Sequence, residues 1–212
     1  MVRLGCAGLI VMAFVLLFSP FAADADPDPP DLSWEVFREI NLARTNPKAY
    51  AGFVRKFRRS YHGKTFQISG SHVSVKTAEG VAAVDEAIAF LSSQKPQPPL
   101  AWSEGLARAA AELVEDEGPS GETGHTGAKS GDIQKRIERQ GRWRGGIGEN
   151  ICYGPSTARL VVMELVIDDG VPDRGHRKNL FHRTFSTAGV SCGPHMVFSS
   201  MCVIDFAVRF TE

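Results

Sequence analysis

The spacing of apolar positions along the chain predicts most of its elements. An unbroken apolar stretch, LIVMAFVLLF over 9–18, comes first. Over 34–45, Val36, Phe37, Ile40 and Ala43 recur at helical spacing, with Ser33 as the expected cap. Asn46-Pro47 ends that helix and starts another, because proline is tolerated at the first helical position. Residues 63–80 are polar, rich in Ser and Gly and without lasting period, which predicts a surface loop. Helix returns over 81–94 and is closed by Pro96, Pro98 and Pro99. The clearest helix follows Trp102: Ser103 caps it, and Leu106, Ala109, Ala110, Leu113 and Val114 line one face. Gly118-Pro119 is expected to stop it. A short basic helix over 132–140 turns Ile133 and Ile137 inward.

Further on, 149–153 has the pattern of a strand, with Ile151 and Tyr153 on the face of Glu149. Residues 157–168 are nearly all apolar except Glu164, and their length predicts a buried helix. Two more strands, 186–192 and 201–210, are rich in β-branched and aromatic residues. Helices and strands are mixed without a βαβ rhythm, and this predicts an α+β layered fold.

The start of the chain bears on location. Arg3, the apolar run, Pro20 and the small residues Ala22, Ala23 and Ala25 have the three-part form of a secretory signal. The run is shorter than the roughly 20 residues that span a bilayer. The expected organisation is a signal peptide over 1–25, cut after Ala23 or Ala25, then a Pro/Asp-rich leader over 26–32 and one domain over 33–212. The expected location is extracellular, with no membrane span after cleavage. About 187 residues remain, enough for one substantial core. With 24 basic and 24 acidic residues the net charge is zero, so general affinity for nucleic acid is not expected. The local run Arg55, Lys56, Arg58 and Arg59 is expected to be a solvated helix face. Cys6 leaves with the signal, so Cys152, Cys192 and Cys202 remain. Export permits disulfides. Cys192 and Cys202 flank a Gly193-Pro194 turn signal, so their pairing is preferred and Cys152 becomes a buried leftover thiol. From sequence alone the other pairings stay open.

Three segments set a histidine or glutamate among glycines: Gly124-His125-Thr126-Gly127, Gly148-Glu149-Asn150 and Arg174-Gly175-His176-Arg177. Glycine permits tight turns, so these side chains can converge. Glu164 or Asp168, four apart and expected on one helical face, can add a further acid. Two imidazoles with one or two carboxylates suit an open zinc site completed by water, or a general acid and base. No HExxH or CxxC spacing is present, and a histidine in a glycine loop is often structural. Arg177 and Asn179 are expected to fix the loop after His176. His182 and His195 are expected at the surface, with His195 near enough to the bridged cysteines to border a cleft. Trp34 and Trp102 are assigned to the core.

Read together, these segments resemble the CAP superfamily of cysteine-rich secretory proteins, antigen 5 and plant pathogenesis-related proteins. The matching pieces are Glu39-Ile40-Asn41-Leu42-Ala43-Arg44 with Asn46-Pro47, and Pro99-Leu100-Ala101-Trp102-Ser103-Glu104-Gly105-Leu106. The two glycine segments around His125 and Glu149 follow in the family's order, then Gly175-His176-Arg177-Lys178-Asn179-Leu180 and Cys202-Val203-Ile204-Asp205-Phe206-Ala207. The resemblance implies a three-layer α-β-α sandwich with a cleft holding two histidines and two acids. Carried over position by position, these are His125, Glu149, His176 and, with Leu165 at the usual tryptophan of that helix, Asp168; Glu164 is the alternative. Asn150, Asn179 and Glu164 are then expected to support the cleft. Residues 55–99 are longer than in small animal members, and the resemblance does not carry over the animal disulfide set or the functions of the cysteine-rich C-terminal module.

The implied function is a secreted, non-enzymatic binding protein for a divalent metal, zinc above all, with a lipid, a sterol or an extracellular protein as further partners. One alternative is a metal-assisted hydrolase or protease with Glu149 as base. The other is a purely structural tetrad in a protein-interaction module, its polar groups satisfied by loop backbones.

Overall fold

The computed structural model of the protein describes residues 31–67 and 74–212. The expected signal peptide and nearly all of the leader fall in 1–30, outside the described residues. Helix α1, Leu32–Thr45, starts two residues earlier than expected. Its cap is Asp31, whose carboxylate accepts from the Ser33 N–H at 3.0 Å. Ser33 is therefore not the cap; it is buried inside the first turn, and its Oγ accepts from the Cys192 N–H. Helix α2, Pro47–Arg58, begins on its proline as expected, with Arg55, Lys56 and Arg58 exposed.

The predicted loop over 63–80 is corrected. It contributes β2 (Thr65–Gln67) and β3 (Ser74–Lys76) to a small antiparallel sheet with β1 (Tyr61–His62), which lies just before it. One buried ring anchors it: Phe66 lies 5.2 Å from Phe57 and 5.1 Å from Tyr61. Strands of two or three residues are too short to print an alternation on the sequence. Helix α3, Val81–Ser93, follows.

Strand β4 (Ala101–Trp102) leads into α4, Glu104–Ser120, where the Ser103 hydroxyl accepts from the Leu106 N–H as expected. Gly118-Pro119 does not stop this helix, which ends at Gly121 in the left-handed conformation. Gly118 serves packing instead: a Cβ there would press on the Pro194 carbonyl. Two short strands, β5 (Thr126–Gly127) and β6 (Gly131–Asp132), precede α5, Ile133–Gln140, capped by Asp132. Then come β7 (Arg142–Tyr153), α6 (Ala158–Ile167), α7 (Gly175–Leu180), β8 (Thr187–His195) and β9 (Ser199–Thr211). Gly193 and Pro194 lie within β8, paired to Met201 and Ser200, and the chain turns at Met196, Val197 and Phe198.

The central sheet has the order β4-β8-β9-β7, parallel between β4 and β8 and antiparallel elsewhere, with β7 at one edge. The β7–β9 register shifts between Arg144 and Ile147, where β7 carries one residue more than its partner. Alternation sends the sheet's side chains to two layers. Ile151, Met201 and Val203 pack with Ala110, Leu113 and Val114 of α4. Cys152, Cys202, Ile204 and Phe206 join the larger core with Val36, Phe37 and Ile40 of α1 and Val161, Val162 and Leu165 of α6. The fold is thus α+β, with helices on both faces of one sheet. Gly189 lets α4 close on β8, since any Cβ there would run into the Ala107 backbone. Trp34 and Trp102 are not core: Trp34 is 45% exposed and packs edge-on to the half-buried Trp102 at 5.3 Å.

Candidate functional site

Edge strand β7 carries Gly148-Glu149-Asn150, and the alternation of a strand sends Glu149 and Asn150 to opposite layers. Glu149 faces the α4 layer beside Ile151 and Tyr153, as its spacing predicts. Its Oε1 meets His125 Nδ1 at 2.7 Å, and its Oε2 accepts from the Arg136 guanidinium. Arg136, on α5, is fully buried and also donates to the carbonyls of His125 and Gly131 at 3.3 and 2.5 Å. One side chain thereby fixes the His125 loop and the glutamate together. The hydrogen bond to Glu149 raises the His125 pKa above the ordinary imidazole range, with burial opposing it. Asp205 lies directly across the ladder from Glu149 and is wholly buried. Burial and the Glu149 charge push its carboxyl far above the usual carboxylate range.

On the other layer, Asp168 is the C-cap of α6 in the left-handed conformation, φ 57° and ψ 44°. It has left the helical face it was expected to share with Glu164. Its Oδ1 meets His176 Nδ1 at 2.6 Å, and its Oδ2 accepts from the backbone N–H groups of His176 and Arg177 at 2.9 and 3.2 Å. Asp168 thus starts α7 and orients the histidine it carries. Glu164 points elsewhere and accepts from the Cys152 thiol at 3.7 Å. Burial pushes its carboxyl up to about 7.

Asn150 and Asn179 tie α7 to the edge strand. Asn150 donates to the His176 carbonyl at 3.0 Å, and Asn179 donates to the Glu149 carbonyl at 3.2 Å and to Asn150 Oδ1 at 3.0 Å. Arg177 holds the α6 end rather than the loop after His176: it donates to the carbonyls of Val166 and Ile167 and to Glu86. His182 is exposed as expected, but His195 is buried. The His195 Nδ1 accepts from the N–H groups of Val197 and Phe198, each at 3.2 Å, and Nε2 donates to the Glu122 carbonyl. That histidine braces the β8–β9 turn. Cys192 and Cys202 are bonded across the ladder, and Cys152 is a free buried thiol in register with Cys202.

The expected tetrad is therefore two imidazole–carboxylate pairs, His125–Glu149 and His176–Asp168, on the two layers that flank the edge strand. Among the described residues no three His, Cys, Asp or Glu side chains come close enough together to hold a metal ion. Each carboxylate faces an Nδ1, so Nε2 is the ring nitrogen left for an outside ligand. Sequence reasoning missed Arg136 and Asp205. Arg136 had a signal, since it stands three residues from Ile133 and next to Ile137 on the inward face of a short helix.

The profile of the CAP: Cysteine-rich secretory protein family matches residues 37–206, most of the chain. No curated protein sequence matches it. Among solved structures, an extracellular protein containing an SCP domain from Bacillus anthracis aligns at 21% identity and a TM-score of 0.45, over 61% of this chain and 38% of that one. An outer surface protein from Borrelia burgdorferi aligns at 17% identity and TM-score 0.44, over 61% and 90%. A cysteine-rich secretory protein from Staphylococcus aureus aligns at 12% and 0.41, over 68% and 46%. The chain thus spans less than half the length of two of these three proteins.

Proposed function

The chain belongs to the cysteine-rich secretory protein (CAP) family, and on that footing we propose that it is an exported, non-enzymatic binding protein whose His125 and His176 rings take a divalent metal, zinc above all. One observation carries the proposal: both imidazoles are held through Nδ1 by a carboxylate, at 2.7 and 2.6 Å. A carboxylate behind the ring is the arrangement that fixes tautomer and orientation in metal-binding histidines. Zinc accepts imidazole nitrogen and fills open positions with water. The fit is to two ring nitrogens rather than to four protein ligands, because Glu149 and Asp168 are already spent on their histidines and on a second set of donors. Export is supported by the bonded Cys192–Cys202 pair, which belongs to oxidising compartments.

Binding is proposed over hydrolysis for a geometric reason. A base that activates water needs an oxygen free to receive the proton. Both oxygens of Glu149 are engaged, by His125 and by a fully buried Arg136. The test is calorimetric titration of zinc into metal-stripped protein. One-site binding is expected, lost in His125→Ala/His176→Ala and weakened about 10- to 100-fold in Asp168→Asn. A folded wild type that takes no zinc would leave both pairs as architecture.

A further inference from the structure

A cleft of about 400 Å³ opens beside the outer edge of β7, between α6 and the small β1–β3 sheet. Tyr61, Phe66 and Phe198 give it aromatic walls, and three carboxylates line it: Glu164, Asp168 and Asp169. Two of the three are saturated by the protein. Asp168 accepts from the His176 ring and two backbone N–H groups. Asp169 accepts from the N–H groups of Ala78, Glu79 and Gly80 at 2.6 to 2.8 Å. Glu164 alone is not, for its hydrogen-bond partner is a thiol at 3.7 Å, a weak donor. Glu164 is half-buried, and a partly desolvated carboxyl without a strong donor gains from a ligand that supplies one.

We propose that this cleft binds a small aromatic amine, its rings against Tyr61, Phe66 and Phe198 and its ammonium group on the Glu164 carboxylate. The size selects a compact ligand, since 400 Å³ lies at the small end of the usual range for ligand pockets. The charge selects a cation. Burial and the charges of Asp169 and Glu164 all push the Tyr61 hydroxyl upward, so the wall already feels a negative field. Aromatic faces also favour a neighbouring ammonium. Lys76 lies exposed at the rim and excludes no amine from the interior. The inference goes beyond the metal proposal and does not rest on it. His176, one of the two proposed metal ligands, lines this cleft while His125 does not, and for that reason the titrations are run with chelator.

Tryptamine and its uncharged counterpart tryptophol separate charge from shape, and both are titrated into the purified protein at pH 8 with chelator present. Tryptamine is expected to bind saturably and at least about tenfold tighter than tryptophol, the scale of a charge-assisted hydrogen bond. Glu164→Gln should erase that preference. Equal affinity for the two probes in the wild type, or no binding of either, overturns the proposal without recourse to any variant. A preference that survives Glu164→Gln overturns it too. Chelator keeps these outcomes independent of whether zinc binds.

Discussion

Arg136, with none of its side chain exposed, donates to the Glu149 oxygen that His125 leaves free. Glu149 is itself buried, so its charge is compensated from within the fold on one side and by a half-exposed imidazole on the other. Asp205, opposite in register, adds a second carboxyl to the same volume. The histidine loop therefore depends on an ion pair in the protein's interior.

Arg136→Met should destabilise the protein by about 3–5 kcal/mol, the cost of leaving a buried charge without its partner. Adding Glu149→Gln should recover part of the loss, because the uncompensated charge goes with it. Urea unfolding of the two variants and the wild type measures both values. A single variant as stable as the wild type would show that Glu149 does not need the guanidinium.

The His125 pKa is raised in the folded protein, chiefly by its bond to Glu149. A raised histidine adds stability that is complete below its unfolded pKa, about 6.5, and is lost as pH rises through the folded value. His125→Ala should therefore cost more stability at pH 5.5 than at pH 9. In an NMR titration the His125 ring should also protonate at higher pH than an ordinary imidazole, and Glu149→Gln should lower its midpoint. A midpoint that ignores Glu149 would remove the hydrogen bond as the cause.

Cys192 and Cys202 close a loop with a sequence separation of 10, so Cys192→Ser/Cys202→Ser should lose about 2–3 kcal/mol. Cys152 is free and buried, and burial pushes its thiol far above the ordinary range. It should resist iodoacetamide in the native protein and react only on unfolding. Mass mapping of alkylated peptides reports both points; prompt labelling of Cys152 would contradict its burial.

Long periodic elements could be read from the chain directly. The α4 stripe with its Ser103 cap and the α1 stripe repeat often enough to be unambiguous, whereas only the 149–153 end of β7, which runs from Arg142, carried a legible alternation. Local signals failed where tertiary contacts decided. Gly118 and Gly193-Pro194 look like breaks, yet Gly118 admits a neighbouring carbonyl and Gly193-Pro194 continue a strand. Asp168 and Glu164 are helical neighbours by count, but the helix ends between them and a left-handed residue turns Asp168 toward His176. His195 is polar by type, and only the fold shows that its two nitrogens satisfy three backbone groups. The two histidines and their acids were visible as motif positions. Their pairing was not, because it depends on which layer each residue faces.

The extra residue between Arg144 and Ile147 has a consequence for all that follows it along β7. A strand counts in twos, and a slip of one position exchanges its faces. Were both residues kept and the ladder paired straight through from Arg144, Glu149 would lie opposite Ile204 and take the orientation of Asn150, and Asn150 that of Glu149. The carboxylate would lose the guanidinium, and α7 would lose its amide tether. The parity of a single count upstream thus fixes which layer Glu149 faces, and with it the histidine it can reach.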